Sequence, residues 1–175
     1  NIDLLRGIRQ GCVLAPLLFI LYINNLSISL TDATVDVPIM GGKKLPALLY
    51  ADDAVLIART PNALRKLVVS FVHFMENLGL QTNFGKSKLM ACGIKRPRMT
   101  LIKIGDSKFE VVSEVPYLGV IYNDTLHWHS HIVHCSRSIE ALLSLPWMGG
   151  HKFLLPMLKI YQQQCLPVAI YGARI

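Results

Sequence analysis

Leu45-Pro46-Ala47-Leu48-Leu49-Tyr50-Ala51-Asp52-Asp53-Ala54-Val55-Leu56-Ile57-Ala58 is the stretch on which the fold turns. Apolar runs from Leu45 to Tyr50 and from Ala54 to Ala58 stand either side of two adjacent carboxylates. Two charges inside a buried element would carry a large desolvation penalty. The pattern therefore predicts strand, tight turn, strand, with Asp52-Asp53 at the turn. Adjacent residues of a regular strand point to opposite faces, so the two carboxylates can converge on one ligand only at a hairpin tip. Carboxylates gathered in this way suit hard divalent cations, and two-metal phosphoryl transfer needs them within reach of ions roughly 4 Å apart. An Asp-Asp pair is also an ordinary solvated turn. The long apolar flanks favour the metal site without deciding it.

Working outward, Thr60-Pro61 supplies an N-cap and a proline at the first helical position. Leu64, Leu67, Val68, Phe71, Met75 and Leu78 follow as a helical stripe, and Gly79 suits the C-terminal stop. Upstream, Arg6 to Gly11 reads as a loop with two glycines. Pro16 then opens a helix whose Leu17, Leu18, Leu21, Tyr22 and Leu26 recur at spacings of three and four, as in a core helix. Gly41-Gly42 offers a turn in the looser stretch from Thr31 to Pro46. Beyond Lys86, short strands are predicted at Leu89 to Cys92, Thr100 to Ile104, Lys108 to Val112 and Pro116 to Tyr122, with Gly105-Asp106 as a hairpin turn. After Asn123 the spacing is helical again, over His129 to Leu143 and from Lys152 to Tyr171, with a kink or stop near Pro167.

The chain has 175 residues, 52% of them hydrophobic, with a mean hydropathy of +0.41, enough apolar material for a sizeable core and against disorder. Eighteen Lys and Arg against eleven Asp and Glu give a net charge of +7 and a pI near 9.4, which suits a polyanionic partner, nucleic acid first and a membrane surface second. Cys12, Cys92, Cys135 and Cys165 are widely spaced, so a reducing intracellular setting is simpler than a disulfide framework. The run from Cys12 to Ile23 is too short for a membrane span, which needs roughly 20 residues, and is expected to be a buried helix. No membrane partner is expected. The chain opens with Asn1 rather than Met and reads as an excerpt of something longer.

Four segments in order carry a family resemblance. Arg9-Gln10-Gly11-Cys12-Val13-Leu14-Ala15-Pro16 is similar to an RQGCxLSP segment, with Ala15 where Ser is usual. Tyr50-Ala51-Asp52-Asp53 matches a YADD box. Gly79-Leu80, Asn83 and Lys86-Ser87 resemble a GLxxNxxKS box, and Tyr117-Leu118-Gly119-Val120 a YLGV segment. Together they span about residues 6 to 122 and resemble the reverse transcriptase domain of non-LTR (LINE-type) retrotransposons. The resemblance implies an α+β polymerase palm over 1–122, its antiparallel sheet bearing the YADD hairpin and packed on helices, then a partial helical thumb over 123–175. It implies RNA-directed DNA polymerisation with Mg²⁺ (Mn²⁺ as the alternative), on an RNA template, a DNA primer and dNTP, in the nucleus or a cytoplasmic ribonucleoprotein.

Residue by residue, the resemblance makes Asp52 the direct metal ligand and Asp53 the supporting carboxylate. Tyr50 and Ala51 would line the floor near nucleotide and primer, and Gln10-Gly11 would lie beside the nucleotide and template base. Arg9 could reach a phosphate or pair with a carboxylate. Lys86 would stabilise or protonate the leaving pyrophosphate, although the same lysine could simply extend from a strand end into water. Leu118-Gly119 would grip the primer through backbone groups. One departure stands out: the family's remaining catalytic carboxylate precedes the RQG loop, and Asp3 fits neither its position nor its neighbours. The fingers motifs are absent too. The expectation is that this chain does not polymerise by itself, and the rival is a non-catalytic, transposon-derived remnant that binds nucleic acid.

Other features are weaker. His127, His129, His131, His134 and Cys135 crowd together, yet no second ligand group stands at zinc-site spacing. Trp128, His131 and Ile132 also fit the W-x-x-H-I start of a LINE-type thumb, with partly exposed histidines. The basic run Lys86, Lys88, Lys95, Arg96, Arg98, Lys103 and Lys108 suits phosphate contacts or a solvated face equally. Pro146-Trp147 reads as a packed loop.

Overall fold

A computed structural model describes residues 11–93, 102–104, 107–143 and 158–171. Gly105-Asp106, Pro146-Trp147 and the start of the helix from Lys152 lie outside the described residues, as do Asp3, Arg9, Gln10, Lys95, Arg96 and Arg98. The chain forms two compact units, one of Asn1–Phe84 with Ile102–Lys108 and one of Gly85–Leu101 with Phe109–Ile175. Its mixture of helices and short strands is α+β.

In the first unit, α1 (Ala15–Tyr22) carries Pro16 in its first turn. A break at residues 23–25 separates it from α2 (Leu26–Ala33), and it holds Asn24 and Asn25, a residue type that favours turns over helix interiors. The core helix expected from the leucine spacing is therefore two helices, and burial shifts to the second. Leu26 and Leu30, one turn apart, are fully buried, whereas Leu17, Leu18, Ile20 and Leu21 of α1 are each more than half exposed. α1 is apolar on every side, and residues on all faces of a helix cannot be turned onto one core. The expectation of a buried helix at Cys12 to Ile23 is corrected accordingly.

β1 (Ile39–Met40) and β2 (Lys43–Lys44) form a hairpin around Gly41-Gly42, both at positive φ as a type I′ turn requires. β3 (Ala47–Tyr50) and β4 (Asp53–Leu56) form the carboxylate-bearing hairpin. α3 (Pro61–Asn77) starts on Thr60, whose Oγ1 accepts from the Ala63 N–H at 3.3 Å. It ends in a Schellman arrangement: Gly79, at φ +70, donates to the Glu76 carbonyl and Leu80 donates to the Met75 carbonyl. The Tyr22 hydroxyl donates to the Leu78 carbonyl at 2.6 Å and ties the end of α1 to the end of α3. Leu26, Leu30, Val37, Leu67 and Met75 make the buried cluster, with Ala47, Leu56, Phe71, Phe74 and Leu80 packed around it. Each fully buried leucine contributes about 1.5–3 kcal/mol.

β5 (Lys88–Leu89), β6 (Ile102–Ile104) and β7 (Ser107–Val111) follow; β6 belongs to the first unit, and the boundary falls inside β7. In the second unit β5 runs parallel to the end of β7, with Lys88 opposite Glu110 and ion-paired to it. β8 (Glu114–Tyr117) and β9 (Val120–Asn123) are an antiparallel hairpin. The single strand expected over Pro116 to Tyr122 is thus folded back on itself at Leu118-Gly119, both at positive φ. α4 (His129–Leu143) has the bounds that its spacing predicts. A π-helical turn over Tyr161–Cys165 leads into α5 (Leu166–Ile170). Pro167 cannot donate to the carbonyl four residues back and its ring crowds that turn, so the backbone widens just before it instead of stopping.

The antiparallel sheet of the expectation is divided. Among the described residues the β3–β4 pair is a two-stranded ribbon of its own, and β5 with β7 is parallel. Among those residues no helix is long and apolar enough to cross a membrane.

Candidate functional site

The register of β3 and β4 sets Ala47 opposite Leu56 and Tyr50 opposite Asp53, leaving Ala51-Asp52 as a two-residue loop. Ala51 has φ +51, and a positive φ at the first loop residue matches a primed hairpin turn. Burial falls along the ribbon. Ala47 and Leu56 pack on the core at its base, whereas Leu49 is 39% and Tyr50 63% exposed near its tip. Asp52 and Asp53 are both exposed, the first in the turn and the second at the start of β4. Opposed residues of a ladder share a face, so Asp53 lies on the Tyr50 side of the ribbon.

The tip therefore exposes two carboxylates from consecutive residues, one in the turn and one at the head of β4. No hydrogen bond or ion pair joins either carboxylate to another described residue. Among the described residues no three metal-ligating side chains gather at one place. As a donor set, hard carboxylate oxygens fit Mg²⁺, which commonly takes one or two carboxylates and completes its shell with water and phosphate oxygens.

The other predicted residues are placed as follows. Gly11, at φ +83, is exposed, and an added Cβ would meet nothing within 4 Å, so backbone conformation and not packing calls for glycine. Its neighbours Arg9 and Gln10 fall outside the described residues. Lys86 is exposed in the turn that precedes β5, in the second unit.

Leu118 and Gly119 occupy the turn of the β8–β9 hairpin at φ +48 and +78, the type I′ pattern. A leucine there is strained by about 1–2 kcal/mol. The Tyr171 hydroxyl donates to the Leu118 carbonyl at 2.6 Å. The tyrosine ring lies so close that a Cβ on Gly119 would come within 3.0 Å of its Cε1. Glycine is thus required twice at 119, for φ and for the ring. His131 is buried at 5% exposure, not partly exposed as its helix-start position suggests; His127, His129 and His134 are exposed. Its Nδ1 accepts from the Ile121 N–H at 3.4 Å, which leaves Nε2 to donate to the Tyr171 carbonyl at 3.2 Å. The sequence marks Tyr171 only as the end of a helix, and His131 only as part of a histidine cluster and of a helix start.

Comparison with known proteins agrees with this scaffold. The family described as reverse transcriptase (RNA-dependent DNA polymerase) matches residues 2–122. The match covers well over half of the chain, and the chain belongs to that family. Within it the relatives are retrotransposon proteins, and the domain is of the non-LTR, LINE type. The Pol polyprotein of the type-1 retrotransposable element R2 of Nasonia vitripennis is 29% identical over 132 residues, 67% of this chain and 12% of that protein. The R2 polyprotein of Popillia japonica is 23% identical over 95% of this chain and 24% of its own length. An uncharacterized transposon-derived protein of Caenorhabditis elegans is 33% identical over 82 residues, 46% of this chain and 29% of its own length. The chain thus spans less than a third of each of these relatives.

Proposed function

We propose that this chain is the palm, over 1–122, and the first part of the thumb, over 123–175, of an RNA-directed DNA polymerase. In this reading it takes part in extending a DNA primer 3′-OH along an RNA template with dNTP. The observation that carries it is the pair Asp52-Asp53 at an exposed two-residue hairpin tip, within a chain of the reverse transcriptase family.

Asp52, in the turn, is the direct metal ligand, and Asp53, at the head of β4, supports the same site from the Tyr50 face. When bound, Mg²⁺ supplies activation of the primer hydroxyl and neutralisation of phosphate charge. Tyr50 and Ala51 form the floor under nucleotide and primer. Gly11, with Arg9 and Gln10, borders the nucleotide and the template base, glycine allowing close backbone approach. Lys86 offsets the negative charge that develops on pyrophosphate. Leu118-Gly119 holds the primer strand through backbone groups. The third carboxylate of the family pattern is not matched by Asp3, so the chain by itself does not polymerise.

Mg²⁺-dependent primer extension on an RNA template tests this, comparing the 175-residue chain with a form extended N-terminally by its upstream coding sequence. Activity is expected only in the extended form. Activity of the shorter chain would refute the missing-ligand argument. Inactivity of both would favour the alternative, a transposon-derived remnant that binds nucleic acid without catalysis, to which Ala15 in the place of the usual Ser lends some support.

A further inference from the structure

The turn at Leu118-Gly119 is held from the far end of its unit. Tyr171 follows α5, some fifty residues along the chain, yet its hydroxyl reaches the Leu118 carbonyl and the edge of its ring stands where a Cβ on Gly119 would point. Tyr171 is fixed in turn by its own carbonyl, which accepts from His131 of α4. The opposite ring nitrogen of His131 accepts from Ile121, in the strand that leaves the same turn. The contacts close a ring, from turn to tyrosine, to histidine, to strand, and back to the turn. A buried imidazole with both nitrogens engaged has one orientation open to it, and it transmits that orientation to the tyrosine. A half-exposed tyrosine on a helix end would otherwise have several rotamers.

We infer that Tyr171 and His131 are positioning residues that set the backbone geometry of the Leu118-Gly119 turn for binding a primer 3′ end. The inference rests on the assignment of that turn to the primer strand. It goes beyond that assignment by giving the turn's geometry to two residues outside it, one on α4 and one beyond α5. A backbone grip can discriminate only if its carbonyls and N–H groups point the same way each time, and a leucine in left-handed conformation has little intrinsic tendency to stay there. The hydroxyl bond to the Leu118 carbonyl orients one of the groups in question.

The test uses the full chain, with Tyr171→Phe to remove the hydroxyl and keep the ring. His131→Gln, which can still accept and donate, is paired with His131→Ala, which cannot. Two quantities are read: amide hydrogen exchange at Gly119 and Val120, and the affinity for an RNA–DNA duplex with a recessed primer 3′ end against a blunt duplex. Tyr171→Phe and His131→Ala are expected to speed exchange and to weaken recessed-end binding roughly three- to tenfold, with blunt-duplex binding unchanged. His131→Gln should restore much of both. Unchanged exchange in Tyr171→Phe would overturn the clamp itself. Faster exchange with unchanged recessed-end affinity would overturn the positioning role and place the fault in the primer assignment of the turn. Equal loss on both duplexes would overturn it as well, by reducing the two residues to general supports.

Discussion

The turns at Ala51-Asp52 and Leu118-Gly119 each join two antiparallel strands through two residues, and each holds a side-chain-bearing residue at positive φ, Ala51 at 51° and Leu118 at 48°. Their surroundings differ. Ala51-Asp52 ends a ribbon whose packing stops at its base, and its carboxylates make no bond to another described residue. Leu118-Gly119 is exposed as well, but it has a tyrosine ring against Gly119 and is bonded through the Leu118 carbonyl. A turn whose job is to ligate must keep its lone pairs unengaged, because a carboxylate already bonded to the protein has to break that bond before it can bind a cation. A turn whose job is to present backbone needs the reverse, a partner that fixes it. The same local geometry is thus finished in two ways that match the two proposed roles.

The largest effect expected from this contrast is on chemistry at the open turn. Asp52→Asn in the N-terminally extended form should lower Mg²⁺-dependent primer extension by about a thousandfold, since losing an anionic ligand costs several kcal/mol of charge stabilisation and each 1.36 kcal/mol is tenfold in rate. Its thermal midpoint should scarcely move, because exposed side chains without partners change stability by about 0.5 kcal/mol or less. A large loss of stability with Asp52→Asn would break the comparison, by showing that the open turn is held through its carboxylate.

The reverse pattern is expected at the clamped turn. Gly119→Ala should destabilise the protein by about 1–3 kcal/mol in denaturant unfolding, combining a disfavoured φ with a Cβ pressed on Tyr171. Gly11→Ala provides the control, with a comparable φ of +83 but nothing near the added methyl. Equal losses at the two glycines would mean that the tyrosine ring adds nothing.

Much of this was legible in the chain. The apolar runs either side of Asp52-Asp53 predict the β3–β4 hairpin, and Thr60, Pro61 and Gly79 mark both ends of α3 because capping is local chemistry. The fold-back at Leu118-Gly119 was hidden, because an apolar run from Pro116 to Tyr122 with one glycine reads as a strand. Only the tertiary bond from Tyr171 reveals what holds leucine in a left-handed turn. α1 misled for the opposite reason. Its apolar residues recur at core spacing, yet they occur on every face as well, and periodicity cannot say which face a helix turns inward. The carboxylate site was found by motif; the tyrosine–histidine support, which joins residues forty apart, leaves no local pattern to find.

The smallest effect separates strain from support. Ala51→Gly removes the left-handed penalty of an L-residue, about 1–2 kcal/mol, and adds the backbone entropy that glycine loses on folding, about 0.5–1 kcal/mol. The methyl of Ala51 is exposed and contributes little packing. The net expectation is a gain of about 0.5 kcal/mol in unfolding free energy. Primer extension by the N-terminally extended form should nonetheless fall, since a glycine lets the unclamped tip sample other turns and holds the two carboxylates less firmly. Stability and activity would then move in opposite directions at one residue, as they do where strain is kept for function. If Ala51→Gly instead lowered stability by more than about 1 kcal/mol, the tip would be packed after all, and the contrast between an open turn and a clamped one would fail at its first term.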